Sequence, residues 1–138
     1  VNLHFNQGLA GAPSDVIAGA LDTAINPSAL DAFALAIISS GGRSDFSRGH
    51  PLDKDAQYAS EGELRAAASM SEVRRVAPDA GSYLSESDYF QADWRSAYWG
   101  AHYERLKSVK AKYDPSDLFI VHHGIGSENW SDDGFSAL

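Results

Sequence analysis

Apolar and polar positions along this chain change period several times, and each change predicts an element. Val1–Phe5 alternates apolar with polar, the pattern of a half-buried strand. Gly8, Gly11 and Pro13 then break the chain into a loop. Ser14 is placed to cap a helix, with Asp15 favourable in its first turn and Val16, Ile17, Ala20 and Leu21 on its apolar side. Asn26-Pro27 forces a turn. Residues 33–39 read as a strand, although their Ala and Leu content leaves a helix open, and Gly41-Gly42 ends the run. Residues 43–59 are polar, contain Gly49 and Pro51, and predict a long loop. Ser60-Glu61-Gly62-Glu63 has the form of a capping box opening a helix with Leu64, Ala67, Ala68 and Val73 on one side and Pro78 as its limit.

The second half is more strongly patterned. Residues 81–89 predict a strand. Asp93 is a candidate cap for a long helix, in which Trp94, Tyr98, Leu106, Val109 and Tyr113 recur at spacings of three and four. Gly100 inside that helix costs about 1 kcal/mol relative to alanine, which implies a close approach by another segment. Lys107, Lys110 and Lys112 suit the negative end of the helix dipole, and Asp114-Pro115 stops the helix. Residues 118–122 predict a last strand, and residues 127–138 a polar tail. The mixture, with antiparallel pairing, is an α+β class.

Composition narrows the function. A chain of 138 residues is one domain or a piece of one. A hydrophobic content of 43% is that of a folded protein, and a net charge of −8 disfavours a nucleic-acid partner. The absence of cysteine excludes disulfides, thiolate metal sites and a cysteine nucleophile. The longest apolar run, residues 32–38, is far too short to span a membrane. No signal peptide is visible, and a first residue of Val rather than Met suits processing or a piece of a longer polypeptide.

Few local motifs carry chemistry by themselves. His122 and His123 are adjacent, so on an ideal strand they face opposite sides and cannot share one ion. His4, His50 and His102 are isolated, so zinc is not expected. Gly124-Ile125-Gly126 lacks the third glycine of a dinucleotide fingerprint but allows close backbone approach. No Gly-x-Ser-x-Gly elbow supports a serine hydrolase. Asn129-Trp130-Ser131 is a glycosylation sequon and points towards a secreted protein; Asn26-Pro27-Ser28 is excluded by its proline.

The run from Trp99 to Phe119 fits W-G-x-x-Y-x-R-L-x-x-V-K-x-K-Y-D-P-x-x-L-F. This segment closely resembles a signature near the C-terminus of FAD-linked oxidases related to berberine bridge enzyme, of the vanillyl-alcohol-oxidase superfamily. Residues 24–38, 81–89 and 122–130 are similar to other segments of one bacterial and fungal branch. The resemblance implies that residues 1–119 are the C-terminal portion of a substrate-binding domain, an antiparallel sheet covered by helices on one face. Residues 120–138 would return towards a flavin domain. FAD would then be bound mainly by an N-terminal half absent from this chain, which is the expected partner, continuous or cleaved, beside a small-molecule substrate.

The resemblance also nominates residues. Many relatives carry Tyr-x-Asn-Tyr where this chain has Tyr83-Leu84-Ser85-Glu86. Glu86 therefore stands at the position of a flavin-facing tyrosine. A carboxylate in a partly dry cleft could accept the substrate's hydroxyl proton as hydride leaves for the flavin. The bland reading is a surface glutamate. Tyr83 and Tyr89 would line the pocket or serve as core aromatics. His122 or His123 would approach the flavin carbonyl region, where positive charge stabilises the reduced ring, and Gly124 would permit contact. The expected function is an FAD-dependent oxidation of a CH–OH or similar donor, with no activity from the chain alone. The competing expectation is an acidic α+β binding module that kept the scaffold and lost the cofactor.

Overall fold

A computed structural model describes residues 1–5, 9–40, 52–131 and 133–138. The chain forms two units, one of Val1–Phe5 with Ala34–Ala80 and one of Asn6–Phe33 with Gly81–Leu138. The class is α+β, and no described helix is long and apolar enough to cross a membrane.

In the first unit, strand β1 (Asn2–Phe5) pairs antiparallel with β2 (Ala34–Ile37), Asn2 opposite Ile37 and Phe5 opposite Ala34. The strand reading of residues 33–39 thus holds over helix. β1 is exposed throughout rather than half-buried. A 25-residue helix, Leu52–Val76, completes the unit. It runs through much of the expected loop, whose remainder lies outside the described residues, as do Gly8, Gly41, Gly42 and His50. Ser60 is therefore inside the helix rather than its cap. The reason is local: Gln57 donates to Glu61 at 3.0 Å and Glu61 faces Arg65 at 3.7 Å, so side chains one turn apart carry the helix through. A Cβ on Gly62 would stand 3.2 Å from the Ser40 carbonyl oxygen, so the glycine lets the helix pass close to the exit of β2. The helix stops before Pro78, as expected.

The second unit holds the buried core, Ala97, Tyr98 and Tyr103, with buried Asn26 and Gln91. Helix α1 (Ser14–Leu21) starts at Ser14 itself. Pro13 takes the cap position and its carbonyl receives the Val16 and Ile17 N–H groups. After the short helix α2 (Ser28–Asp31), the next α-helix among the described residues of this unit is α4 (Tyr103–Tyr113), with Leu52–Val76 of the first unit as α3.

The long helix expected from Trp94 is broken. A π-helical turn, Arg95–Trp99, meets a 3-10 turn, Gly100–His102, and only then does α4 begin. Gly100 sits at φ 54° and ψ −137°, which no helix accommodates. Asn26 explains why. Its Nδ2 donates to the carbonyls of Ala97 at 2.7 Å and Ser96 at 3.2 Å, and its Oδ1 accepts from the Ser28 N–H at 3.1 Å. A Cβ on Gly100 would lie 2.6 Å from Oδ1, and one on Gly81 2.7 Å from Nδ2. Two glycines thus open space for one buried amide, the close approach that Gly100 implied. Asp93 is no cap: its carboxylate accepts from the Gln91 side chain.

Candidate functional site

Neither of the strands expected at residues 81–89 and 118–122 forms. In the first, Leu84–Glu86 is a 3-10 turn. Ser87 donates to the Leu84 carbonyl at 2.9 Å and the Asp88 carboxylate accepts the Phe90 N–H at 2.9 Å, so side chains take the backbone groups a ladder would need. In the second, the Asp114 carboxylate accepts the N–H groups of Leu118 at 2.8 Å and Phe119 at 3.0 Å. The Lys110 ammonium then donates to the Phe119 carbonyl at 2.9 Å and to Asp114 at 2.5 Å, with Asp117 at 3.2 Å. The Lys-Tyr-Asp-Pro-x-x-Leu-Phe run is thus a pinned corner. It holds its backbone rigid while the Leu118 and Phe119 side chains stay 77% and 79% exposed.

Beyond the corner the chain turns sharply. His123 is at φ 58°, in the left-handed region, and the Gly124 N–H donates to Val121 O at 2.9 Å. A Cβ on Gly124 would stand 2.7 Å from Val121 Cγ2, so this tight turn requires glycine. The left-handed residue reverses the strand expectation for the histidines: their rings converge, with centroids 3.8 Å apart. Four rings form a continuous stack. Trp94 lies on His123 at 5.2 Å, His123 on His122, and His122 on Tyr89 at 4.0 Å. His122 Nε2–H donates to Tyr89 O at 2.8 Å. Burial first, and the neighbouring His122 second, hold the His123 pKa below its ordinary value, with Asp88 opposing. This favours the neutral form of the His123 ring.

Two open clefts flank the stack. One of about 480 Å³ is lined by Leu84, Tyr89, Trp99, Val121, Gly124 and both histidines. The other, about 510 Å³, shares the histidines and Tyr89 and adds Trp94, Glu128 and Trp130. His122, His123 and Gly124 are therefore together. Glu86 and Tyr83 are not with them: both are exposed on the turn beside the first cleft and line neither. Asn129 of the sequon is exposed at the end of the 3-10 turn Ser127–Asn129. The tail from there folds back on itself, Trp130 bridging Ala137 and Leu138 N–H donating to Asn129 O at 2.8 Å.

A cluster that the sequence did not single out lies beneath the turn. The Tyr103 hydroxyl donates to Glu128 and accepts the Gly126 N–H at 3.3 Å, while Lys107 pairs with the other Glu128 oxygen at 2.6 Å. Burial, then the Glu128 hydrogen bond, push the Tyr103 pKa up to about 12. Burial works against the Glu128 charge, but the bonds from Lys107 and Tyr103 outweigh it and keep the carboxyl below its ordinary range. Tyr103 stood in the signature and on a helix, yet it fell outside the apolar stripe read from spacing. Glu128 carried no signal, because its partner is 25 residues away.

Aromatic and imidazole rings in both clefts, beside apolar Leu84, Val121 and Ile125 in the first, offer surfaces on which the edge of a conjugated ring such as a flavin could rest, while Glu128 and Asp133 make the second more polar. They do not fit the pyrophosphate of a dinucleotide, since among the described residues neither cleft is lined by Lys or Arg.

The residues around the clefts fall largely within a segment that resembles known proteins. Residues 82–126 match the family described as "Berberine and berberine like". The chain is 45% identical over 66 residues to FAD-linked oxidoreductase notD' of Aspergillus versicolor, covering 48% of this chain and 11% of that protein. It is 51% identical over 57 residues to flavin-dependent oxygenase ucdF of Aspergillus ustus, 41% of this chain and 10% of that one. VAO-type flavoprotein oxidase VAO615 of Thermothelomyces thermophilus shares 41% over 61 residues, 44% and 11%. No solved structure matches. The chain is thus similar, through residues 82–126, to the berberine-like family and, over about two fifths to half of its length, to FAD-linked oxidoreductases. The matched part spans about a tenth of the length of those relatives.

Proposed function

We propose that this chain forms the C-terminal part of an FAD-dependent oxidoreductase acting on a CH–OH or similar donor, with an N-terminal FAD-binding half as its partner. The observation that carries this reading is the mismatch between backbone and side chains around the signature. The corner at residues 114–119 is pinned by a partly buried ion cluster, yet Leu118, Phe119, Val121, Tyr89 and Phe90 stand on the surface. Rigid presentation of apolar side chains is the property of a surface that another polypeptide covers.

FAD, when bound, would supply the hydride acceptor. Within this chain, His122, His123 and Gly124 would meet the ring edge, His123 as a neutral hydrogen-bonding group. Tyr83 would orient substrate, and Glu86 would take the hydroxyl proton once the rest of the enzyme closes over its turn and removes water from the carboxylate.

The test is the native protein. Material purified from its source should show flavin absorption and carry a longer or second polypeptide. In that enzyme Glu86→Gln should lower turnover by 10²–10⁴-fold, roughly the range for a lost general base, with flavin retained. A colourless, stably folded 14.8 kDa monomer would refute the reading as a whole, and an unaltered rate would remove Glu86 from it.

A further inference from the structure

The stack Trp94–His123–His122–Tyr89 is gripped from below at two points by a single side chain. The Tyr103 ring meets Trp94 edge-on, at 5.7 Å and 80°, and Trp94 in turn lies flat on His123 at 14°. The Tyr103 hydroxyl reaches the other end of the same turn, taking the Gly126 N–H and donating to Glu128. Lys107, one helical turn along α4 from Tyr103, fixes the second Glu128 oxygen. Between these two grips lies a backbone with two left-handed residues, His123 and Gly126. A non-glycine residue there is strained by about 1–3 kcal/mol and persists only where its surroundings over-determine it.

We propose that Tyr103 and Glu128, with Lys107 behind them, are positioning residues that hold the His122–His123 ring pair in its stacked, cleft-lining arrangement. The proposal adds a supporting layer to the cofactor-facing reading given above and depends on that reading for its functional meaning, though not for its geometry. Trp99 assists through its Nε1–H to His123 O at 3.4 Å, but this is long and reaches only the backbone. Glu128 ties α4, through Tyr103 and Lys107, to the segment beyond Gly126. The carboxylate is half-buried and Lys107 partly exposed, so the pair acts chiefly by fixing the orientation of Glu128 towards the Tyr103 hydroxyl. The groups facing His123 that could confuse a titration are His122 and Asp88, and none of the positioning residues is among them.

The experiment uses the whole flavoenzyme with histidine-selective isotope labelling, His123 being assigned by its own deletion in His123→Gln. In the parent, the His123 imidazole should show a ring-current shift from Trp94 and a titration midpoint below that of free imidazole. In Glu128→Ala the ring-current shift should be lost and the midpoint should rise towards about 6.5, the unperturbed histidine value, and Tyr103→Phe, which keeps the ring against Trp94 but loses the hydroxyl, should move both in the same direction. Glu128→Gln keeps an acceptor for the tyrosine and should restore most of both. Lys107→Met, at a partly exposed position, should give an intermediate change and serves if Tyr103→Phe fails to fold. An unchanged His123 signal in Glu128→Ala and Lys107→Met alike would overturn the proposal. The readout does not involve the flavin. A His123→Gln variant with an unaltered flavin spectrum would therefore sink the cofactor-facing reading while leaving the positioning role to stand or fall on the imidazole signals.

Discussion

At the scale of residues, the second unit is held by side chains whose ionisation is coupled to the fold. Tyr103 has a folded pKa of about 12 against an ordinary 10.0. Folding thus favours its neutral form, and this stabilisation is complete below pH 10 and lost as pH rises from there towards 12. Alkaline difference spectra of the native protein should include a late tyrosine ionisation that Tyr103→Phe removes. Asp114 behaves oppositely. The Lys110 bond, with the N–H groups of Phe119 and Leu118, holds its carboxyl below the usual value of 3.8. Its contribution is present above that value and lost as pH falls through the depressed one. Melting temperature should therefore fall on acidification below about pH 4, and Asp114→Asn should lower it at neutral pH and flatten the acid limb. The aspartate was legible as a helix stop but not as the group that pins Leu118 and Phe119. A stop signal is local in sequence, whereas a carboxylate that collects N–H groups from a following turn shows itself only once that turn is folded.

At the scale of elements, what was legible depended on whether backbone or side chains took the hydrogen bonds. The β1–β2 pair, α1, the end of α3 and α4 follow their periodicity, because their backbone groups bond within the elements. The strands expected at 81–89 and 118–122 had suitable apolar residues but were preceded or interrupted by Ser and Asp, which captured the ladder's donors. The histidine pair was misread for the same reason: strand alternation put the rings apart, and a left-handed His123 put them together. Gly100 gives the sharpest test at this scale. Alanine there would need φ 54° and would press its Cβ to 2.6 Å from the buried Asn26 amide. Gly100→Ala should destabilise the second unit by about 1–3 kcal/mol, read by denaturant titration. Asn26→Ala should cost a similar amount, because it leaves the Ala97 and Ser96 carbonyls without that donor. In the double variant the two losses should fall short of additive, since the amide that alanine would strike has gone.

At the scale of the molecule, the composition and the burial stand in tension. A 43% hydrophobic chain ordinarily supplies its own core, yet among the described residues the buried apolar set is Ala97, Tyr98 and Tyr103, and no large side chain is fully enclosed. Family likeness is what raises the expectation of a partner; periodicity alone does not, because an apolar stripe looks the same whether its cover is in the chain or outside it. The hydrophobic effect makes the consequence measurable. At about 25 cal/mol per Å², side chains such as Leu118, Phe119 and Tyr113 left in water forgo a stabilisation that a covering surface would return. Produced alone, the 138-residue chain should bind a hydrophobic dye strongly and self-associate. Produced together with a flavin-binding half, it should lose that dye signal, and Phe119→Ser should weaken the association without disturbing the Lys110–Asp114 corner, whose bonds to residue 119 use only its backbone. A chain that remains monodisperse and silent to the dye by itself would mean that its exposed apolar residues need no cover, and the partner would have to be abandoned.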